Sequence, residues 1–153
     1  MHVLTNRVPI HTWVHGRLVS NFSLHEFQNK EGWVVIHPAV IEALEFMRHD
    51  LNKTSYLGEV KVTITNTTRT PAQNDALAAR LGYTDQGGVV ARRSFHLVEF
   101  GGIAIDFYAW YDRDKTRYPQ WQVGQVAERY FDYVKSDYAD GHIHGDLRKL
   151  VTK

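Results

Sequence analysis

The chain has 153 residues, 43% of them hydrophobic and 23% charged, which suits one globular domain with a substantial hydrophobic core. A formal net charge of +1 gives no electrostatic support for nucleic-acid binding, and no apolar run is long enough to span a membrane. Cysteine is absent, which excludes disulfides and thiolate metal sites. The sequence shows no signal peptide, so we expect synthesis in the cytoplasm.

The first part of the chain divides into an arm and the start of a domain. Apolar residues in positions 1–20 follow no clean period and Pro9 argues against a helix, so we expect an extended N-terminal arm with one short strand. The single domain then covers residues 21–153. Ser23 and Glu26 have the spacing of a capping box, which predicts a helix start.

Two helices and a strand follow. Pro38 suits the first turn of a helix. Apolar residues then recur at helical spacing: Val40, Ile41, Leu44, Met47 and Leu51. Residues 59–65 alternate between apolar and polar, which predicts a strand. In the next helix Thr70 is the expected N-cap, Pro71 the first helical residue and Gly82 the C-terminal cap.

The second half of the chain begins with a loop at residues 83–91. Residues 103–107 read as a strand, with Asp106 on the face opposite to its large apolar residues. The aromatic residues of the segment 108–121 indicate a core edge or a cleft wall, and residues 122–134 have the pattern of a helix. Together the elements predict an α+β fold with helices packed on a small antiparallel sheet.

A metal site is the feature that best explains the polar residues of these strands. A carboxylate inside an apolar strand is costly to bury without a positive partner, and for Asp106 this partner is either an arginine or a metal ion that His96 also binds. An extended segment near the C-terminus would place His142, His144 and Asp146 on one face. Catalytic zinc typically takes three protein ligands, and His96, Asp106 and one of the two histidines satisfy that count.

Four blocks of sequence then carry a resemblance to a known family. They are residues 21–27 (NFSLHEF), 65–74 (TNTTRTPAQN), 94–106 (SFHLVEFGGIAID) and 144–148 (HGDLR). In this order they resemble the zinc D-Ala-D-Ala carboxypeptidase family. That family includes D-Ala-D-Ala dipeptidases and phage L-alanyl-D-glutamate endolysins and shares a fold with the Hedgehog signalling domain. The resemblance implies a Hedgehog/DD-peptidase-like fold and one Zn²⁺ per chain.

The resemblance also implies roles for individual residues. The zinc ligands would be His96, Asp106 and His144, and Arg69 would hold an oxyanion or a substrate carboxylate. Three further residues would support the ligands or contact substrate: Ser94, Asp146 and Arg148.

The general base is less determined, because the acid that many relatives carry three residues before the last ligand is replaced here by Gly141. The candidates are His142, Asp140 and Asp146, with His142 first. The spacing between His96 and Asp106 is also three residues longer than in the family pattern. Glu99, in that longer loop, is a further candidate for the base.

The expected function is zinc-dependent hydrolysis of peptide bonds in the stem peptides of bacterial peptidoglycan, in the manner of a D,D-carboxypeptidase or an endolysin. The partner is then a stem peptide or its precursor, and we expect a monomer. A phage-encoded lysin released to the cell wall and a cytoplasmic enzyme acting on precursors both fit. One alternative is a catalytically silent, zinc-holding binding module of the same fold, and another is an unrelated domain whose histidines are structural.

Overall fold

The structure, a computed structural model, describes residues 7–151. Within that range the chain is α+β, with three α-helices and six strands in two antiparallel sheets. In chain order the elements are β1 (Pro9–Val14), β2 (Arg17–Ser23), α1 (Pro38–Lys53), β3 (Val60–Asn66), α2 (Pro71–Leu81), β4 (Ala104–Tyr111), α3 (Gln120–Ala127), β5 (Tyr133–Lys135) and β6 (Ile143–Asp146). None of the helices in residues 7–151 has both the length and the apolar character that a membrane crossing requires.

The N-terminal segment is a hairpin of β1 and β2, so it contains two strands where the sequence predicts an arm with one. The connecting turn is His15-Gly16, whose φ angles are +48° and +76°. Two central residues with positive φ give the tight turn whose twist matches paired antiparallel strands. Strand β2 crosses the proposed arm–domain boundary at residue 20, and residues 1–6 of the arm lie outside the described residues.

The capping box at the end of β2 is confirmed. The Ser23 N–H donates a 2.7 Å hydrogen bond to Glu26 Oε2, and a short 3₁₀ helix, Leu24–Phe27, begins there. Phe27 is fully buried, so this turn fixes the hairpin to the core.

The main sheet has the strand order β3-β4-β6-β5, with every neighbouring pair antiparallel. Helix α1 packs against one face and begins at Pro38 as predicted. Its apolar stripe is buried with residues of the sheet and of α3 in one core, whose fully covered members include Leu44, Met47, Val60, Ile105, Phe107, Val123 and Ile143. Truncating such a residue, as in Leu44→Ala, typically costs about 2–5 kcal/mol of stability.

The predicted strand at residues 59–65 and the following helix are both confirmed, as β3 and α2. Thr70 caps α2, because its hydroxyl accepts a 3.2 Å hydrogen bond from Gln73 N while its own N–H donates to Gln73 Oε1 at 2.9 Å. Gly82 ends the helix with a φ of +77°. This capped turn holds the chain that leads from β3 past the candidate site.

The predicted helix at residues 122–134 is correct only in its first half. Helix α3 spans Gln120–Ala127, and Val134 lies in β5, where it pairs with Gly145 of β6. The helical period of the sequence is overridden because β6 has an unpaired edge, and backbone hydrogen bonds along that edge outweigh a weak local preference. Strand β5 matters for the site, because it pairs with β6, the strand that carries His144.

Candidate metal centre

The three predicted ligands come from three segments and converge on the face of the main sheet opposite the core. Asp106 of β4 and His144 of β6 are direct cross-strand partners. His96 lies in the loop after α2, where its carbonyl oxygen accepts a 2.8 Å hydrogen bond from Arg69 N. Both histidines are buried, with 4% and 9% of their surface exposed.

The longer connection between His96 and Asp106 does not prevent this convergence. It forms the 3₁₀ helix Val98–Phe100 and then turns at Gly101 and Gly102, both with a φ of +77°. A Cβ atom on Gly102 would lie 2.4 Å from the Val35 carbonyl oxygen, so only glycine fits there.

The facing atoms of the three side chains form a triangle with equal edges. His96 Nε2 lies 3.0 Å from both Asp106 Oδ1 and His144 Nδ1. His144 Nδ1 in turn lies 3.0 Å from Asp106 Oδ1. Zinc binds nitrogen and oxygen ligands at about 2.0–2.2 Å, so atoms bonded to one zinc ion lie roughly 3–4 Å apart. The spacing therefore suits one metal ion bound by all three.

Hydrogen bonds on the far side of each imidazole determine which nitrogen faces the centre. His96 Nδ1 lies 2.5 Å from the Thr67 carbonyl oxygen, which can only accept, so Nδ1 carries the proton. His144 Nε2 donates to Asp146 Oδ2 at 2.7 Å. Each neutral ring therefore presents a lone pair to the Asp106 carboxylate. Lone pairs this close repel one another unless a proton or a cation lies among them. Two histidines with one carboxylate are also a typical set of zinc ligands.

The charges of these side chains also favour a bound cation. Burial alone raises the pKa of Asp106, but His96 and His144 outweigh burial and hold that pKa well below its ordinary value. For His144, burial lowers the pKa, whereas Asp106 and Asp146 raise it by more. A second proton, on Nδ1, would take the place of the metal cation between this ring and Asp106. Asp106 is therefore an anion at neutral pH, in a place where an anion needs a cation.

Asp146 supports His144 from behind. It is fully buried, and Arg148 holds it through two hydrogen bonds of 2.8 Å, from Nε to Oδ1 and from Nη2 to Oδ2. Burial raises the pKa of Asp146, but Arg148 and His144 outweigh this and bring it to about 2. The Arg148 guanidinium is stacked over the Tyr133 ring at 3.8 Å. Asp146 thus stays ionised and keeps the proton of His144 on Nε2.

A third histidine, His142, lies beside the triangle without being part of it. His142 Nε2 lies 3.9 Å from Asp106 Oδ2, and its Nδ1 is hydrogen-bonded to Asp140 Oδ1. The His142 N–H also donates to Asp140, which lowers the pKa of that carboxyl. Because ionised Asp140 only accepts, Nδ1 carries the proton and the lone pair of Nε2 is directed away from Asp140. The ring of Tyr138 stacks on that of His142 at 3.9 Å and fixes its plane.

Arg69 lies on the β3–α2 turn, next to the centre. Its Nη2 donates a 2.7 Å hydrogen bond to Ser94 Oγ, while its Nε is buried without a hydrogen-bond partner among the described residues. Burial lowers the pKa of Arg69, and the opposing charge of Asp106 limits the shift. No ion pair within residues 7–151 uses this guanidinium, so most of its donors are available to an anionic ligand.

The structure brings together most of the predicted site residues. The exception is Glu99, which is exposed on the short 3₁₀ helix, and no hydrogen bond or ion pair among the described residues joins it to the ligands. Its neighbour Phe100 packs against Phe95 at 5.2 Å and against the core. Geometry therefore favours His142 over Glu99 as the base, and the zinc-binding role of the three ligands stays a prediction.

Three residues at the site were not identified from the sequence. The carbonyl of Thr67 orients His96, the ring of Tyr138 orients His142, and Arg117 reaches the site from the segment after β4. A backbone carbonyl leaves no signal in side-chain chemistry. Tyr138 stacks on a ring within the same β5–β6 connection, and Arg117 stacks on Tyr108 of β4, and neither contact has a spacing signal in the sequence.

A second group of possible ligands lies near the C-terminal end of α1. The ligand atoms of His15, His49 and Asp50 all fall within 4.8 Å of one another. Asp50 Oδ2 is already bonded to Arg129 Nη1, at 3.1 Å, and to the Tyr130 hydroxyl. The His49 side chain is 45% exposed. Because its carboxylate is neutralised by Arg129 and its histidines are open to water, we expect this group to bind metal far less tightly than the central triangle.

Comparisons with known proteins add no further constraint. No protein-family model matches the sequence, and no curated protein matches it. The residues and their geometry therefore carry the functional argument.

Proposed function

We propose that this chain is a zinc-dependent metallopeptidase of the Hedgehog/DD-peptidase fold, with one zinc ion bound by His96, Asp106 and His144. The observation that carries the proposal is the equal-edged triangle of two imidazole nitrogens and a carboxylate oxygen, 3.0 Å apart. The hydrogen bonds from His96 to Thr67 and from His144 to Asp146 turn both lone pairs into this triangle.

When bound, zinc would supply Lewis-acid chemistry, which lowers the pKa of water to about 7 and polarises a carbonyl group. His142 is the base in this proposal: its Nε2 lies at the edge of the ligand triangle and accepts the proton of the attacking water. Asp140 keeps the Nδ1 proton in place and stabilises the imidazolium that forms. His142 then returns the proton to the leaving amine.

Arg69 supplies the positive charge for the reacting carbonyl or for a substrate carboxylate. Its planar guanidinium is held by Ser94 and has no carboxylate partner within the described residues. A guanidinium fixed in this way stabilises negative charge that develops during the reaction, because it needs little reorganisation.

The substrate class rests on the sequence resemblance. Peptides of the bacterial cell wall are the substrates that the resemblance implies, cleaved in the manner of a D,D-carboxypeptidase or an endolysin. A phage origin with release to the cell wall belongs to the same proposal. The fold class by itself does not specify a substrate.

A catalytically silent, zinc-holding module is the second candidate function. It is favoured by Gly141, which stands where relatives carry an acidic residue. The Asp140–His142 pair weighs against it, because it places a different base beside the ligands.

One experiment separates the two. Purified peptidoglycan is incubated with the zinc-supplemented full chain, with chelator-treated chain and with His142→Ala, and the released peptides are identified by mass spectrometry. The peptidase predicts new peptide termini with the zinc-supplemented chain only, and a loss of about 10²–10⁴-fold in His142→Ala. Zinc binding without any new terminus would establish the silent module instead.

A further inference from the structure

Arg117 approaches the centre from a segment that extends the main sheet. Strand β6 pairs with β4 only as far as Phe107, and beyond it residues 116–118 pair with the same edge of β4. Tyr111 N donates to Thr116 O at 2.8 Å, and Tyr118 N donates to Ala109 O at 3.0 Å. Arg117 itself forms a bridge with Trp110. The main chain of Arg117 is therefore fixed on the β6 side of β4.

The side chain of Arg117 is fixed as well. Its guanidinium carbon lies 3.7 Å from the ring centroid of Tyr108, and its Nη1 donates a 3.2 Å hydrogen bond to the Asp140 carbonyl oxygen. Tyr108 is two residues from Asp106, so the two share the open face of β4. Stacking and one hydrogen bond thus hold a planar cation close to the His142–Asp140 pair.

No carboxylate in the described part of the chain forms an ion pair with this cation, although the charge of Arg117 helps to lower the pKa of the nearby Asp140. Within residues 7–151 some exposed cations form ion pairs, as Arg92 does with Asp85 and Lys135 with Asp137, whereas others, such as Arg113, form none. Arg117 differs from Arg113 in that its guanidinium is held by stacking and by a hydrogen bond. Arg117 forms no ion pair within that range, since the nearby carboxylate of Asp140 is bonded to His142. A guanidinium has five N–H donors, and the Asp140 carbonyl occupies one of them.

We propose that Arg117 forms a carboxylate-binding subsite beside the base, so that the site prefers peptides with a free carboxylate at that position. The inference rests on the proposed function in one respect, namely that the ligand is a peptide. A carboxylate is the planar group that a stacked guanidinium binds through two parallel hydrogen bonds. Arg69 and Arg117, both without carboxylate partners in the described chain, then provide two separate points of charge recognition around one centre.

The test uses three synthetic stem peptides of sequence L-Ala-γ-D-Glu-L-Lys-D-Ala-D-Ala: unmodified, amidated at the glutamate α-carboxyl, and amidated at the C-terminus. Binding to the zinc-supplemented full chain is measured by stopped-flow tryptophan fluorescence, which records association before turnover. The wild type is compared with Arg117→Gln and with Arg113→Gln, an exposed arginine of the same segment.

The subsite predicts that one amidation weakens binding to the wild type and to Arg113→Gln about ten-fold, and that this difference disappears in Arg117→Gln. The inference would be overturned if neither amidation weakened binding to the wild type, or if every amidation effect seen in the wild type persisted in Arg117→Gln. Hydrolysis of the same peptides is followed in parallel by mass spectrometry. If the protein distinguishes amidated from unmodified peptides but hydrolyses none of them, the peptidase is refuted and the subsite is supported. If it hydrolyses the peptides without distinguishing them, the subsite is refuted and the peptidase is supported.

Discussion

His144 donates a hydrogen bond of 2.7 Å from Nε2 to Oδ2 of Asp146, two residues further along the same strand. Both side chains lie on the same face of β6, because residues two apart in a strand point the same way. The pair determines the chemistry of the site, since it leaves His144 Nδ1 unprotonated towards Asp106. The sequence H-G-D thus contains a predicted zinc ligand and the group that orients it.

Asp146→Asn should weaken zinc binding about 10–100-fold. The substitution removes the charge that fixes the His144 tautomer and one of the two oxygens that accept hydrogen bonds from Arg148. Affinity is measured by competition with a chelator of known zinc affinity. Asp137→Asn, which alters an exposed aspartate on the neighbouring segment, is the matched control. Equal affinity in both variants would show that Asp146 has no part in orienting the ligand.

The two histidines of the H-x-H pair should have separable roles. His144→Ala removes a corner of the ligand triangle and should abolish stoichiometric zinc binding. His142→Ala removes the residue held by Asp140 and should retain zinc while losing hydrolysis. Zinc content by elemental analysis and hydrolysis of peptidoglycan are measured on the same preparations. Exchanged phenotypes would mean that His142 is the ligand and that the assignment is wrong by two residues.

Arg69→Lys should reduce hydrolysis strongly, by about 10²-fold, with little change in melting temperature. Lysine keeps the positive charge but not the planar fork, and among residues 7–151 the only side-chain hydrogen bond lost is the one to Ser94. Activity and thermal unfolding are measured together. Parallel losses of stability and activity would instead identify Arg69 as a structural residue. Ser94→Ala provides the control for that hydrogen bond.

A pH-dependent contact lies away from the site, where the Tyr130 hydroxyl is hydrogen-bonded to Asp50. Burial and this bond raise the pKa of Tyr130 to about 12. For Asp50, burial raises the pKa, but Tyr130, Arg129 and His49 outweigh it and lower the pKa overall. The stabilisation that Tyr130 contributes is therefore complete below about pH 10 and is lost as pH rises through about 12. The stabilisation that Asp50 contributes is complete above about pH 4 and is lost as pH falls further.

Tyr130→Phe should consequently destabilise the protein by about 1–2 kcal/mol between pH 5 and 9. The difference from wild type should shrink below pH 4, where Asp50 becomes protonated. Chemical unfolding at several pH values measures it, with Tyr133→Phe as a control at an exposed tyrosine. A difference that is constant from pH 3 to pH 9 would show that the hydroxyl does not stabilise the protein through ionised Asp50.

Local signals in the sequence were sufficient for much of the fold. Thr70 and Pro71 mark the start of α2, and Gly82 its end, because capping depends on residues within one turn. The same is true of Pro38 at the start of α1. Alternation in β4 and β6 also indicated that Asp106 and His144 point away from the core, so candidate ligands were recognisable before their distances were known.

Long-range pairing was not recoverable in the same way. Val134 completes an apolar helical stripe in the sequence, yet it lies in a strand because β6 offers an edge that only the folded sheet creates. The position of Arg117 over Tyr108 likewise depends on residues 116–118 pairing with β4. No spacing rule in one sequence predicts such a contact, since it depends on how distant segments are joined.

Zinc stoichiometry is the measurement that tests the central claim most directly. The full chain is supplemented with zinc, desalted and examined by native mass spectrometry, alongside His96→Ala and a His15→Ala/His49→Ala double variant. We predict about one zinc per chain in the wild type and in the double variant, and none in His96→Ala. Metal-free protein throughout, or zinc retained in His96→Ala and lost from the double variant, would contradict the assignment of the centre to His96, Asp106 and His144.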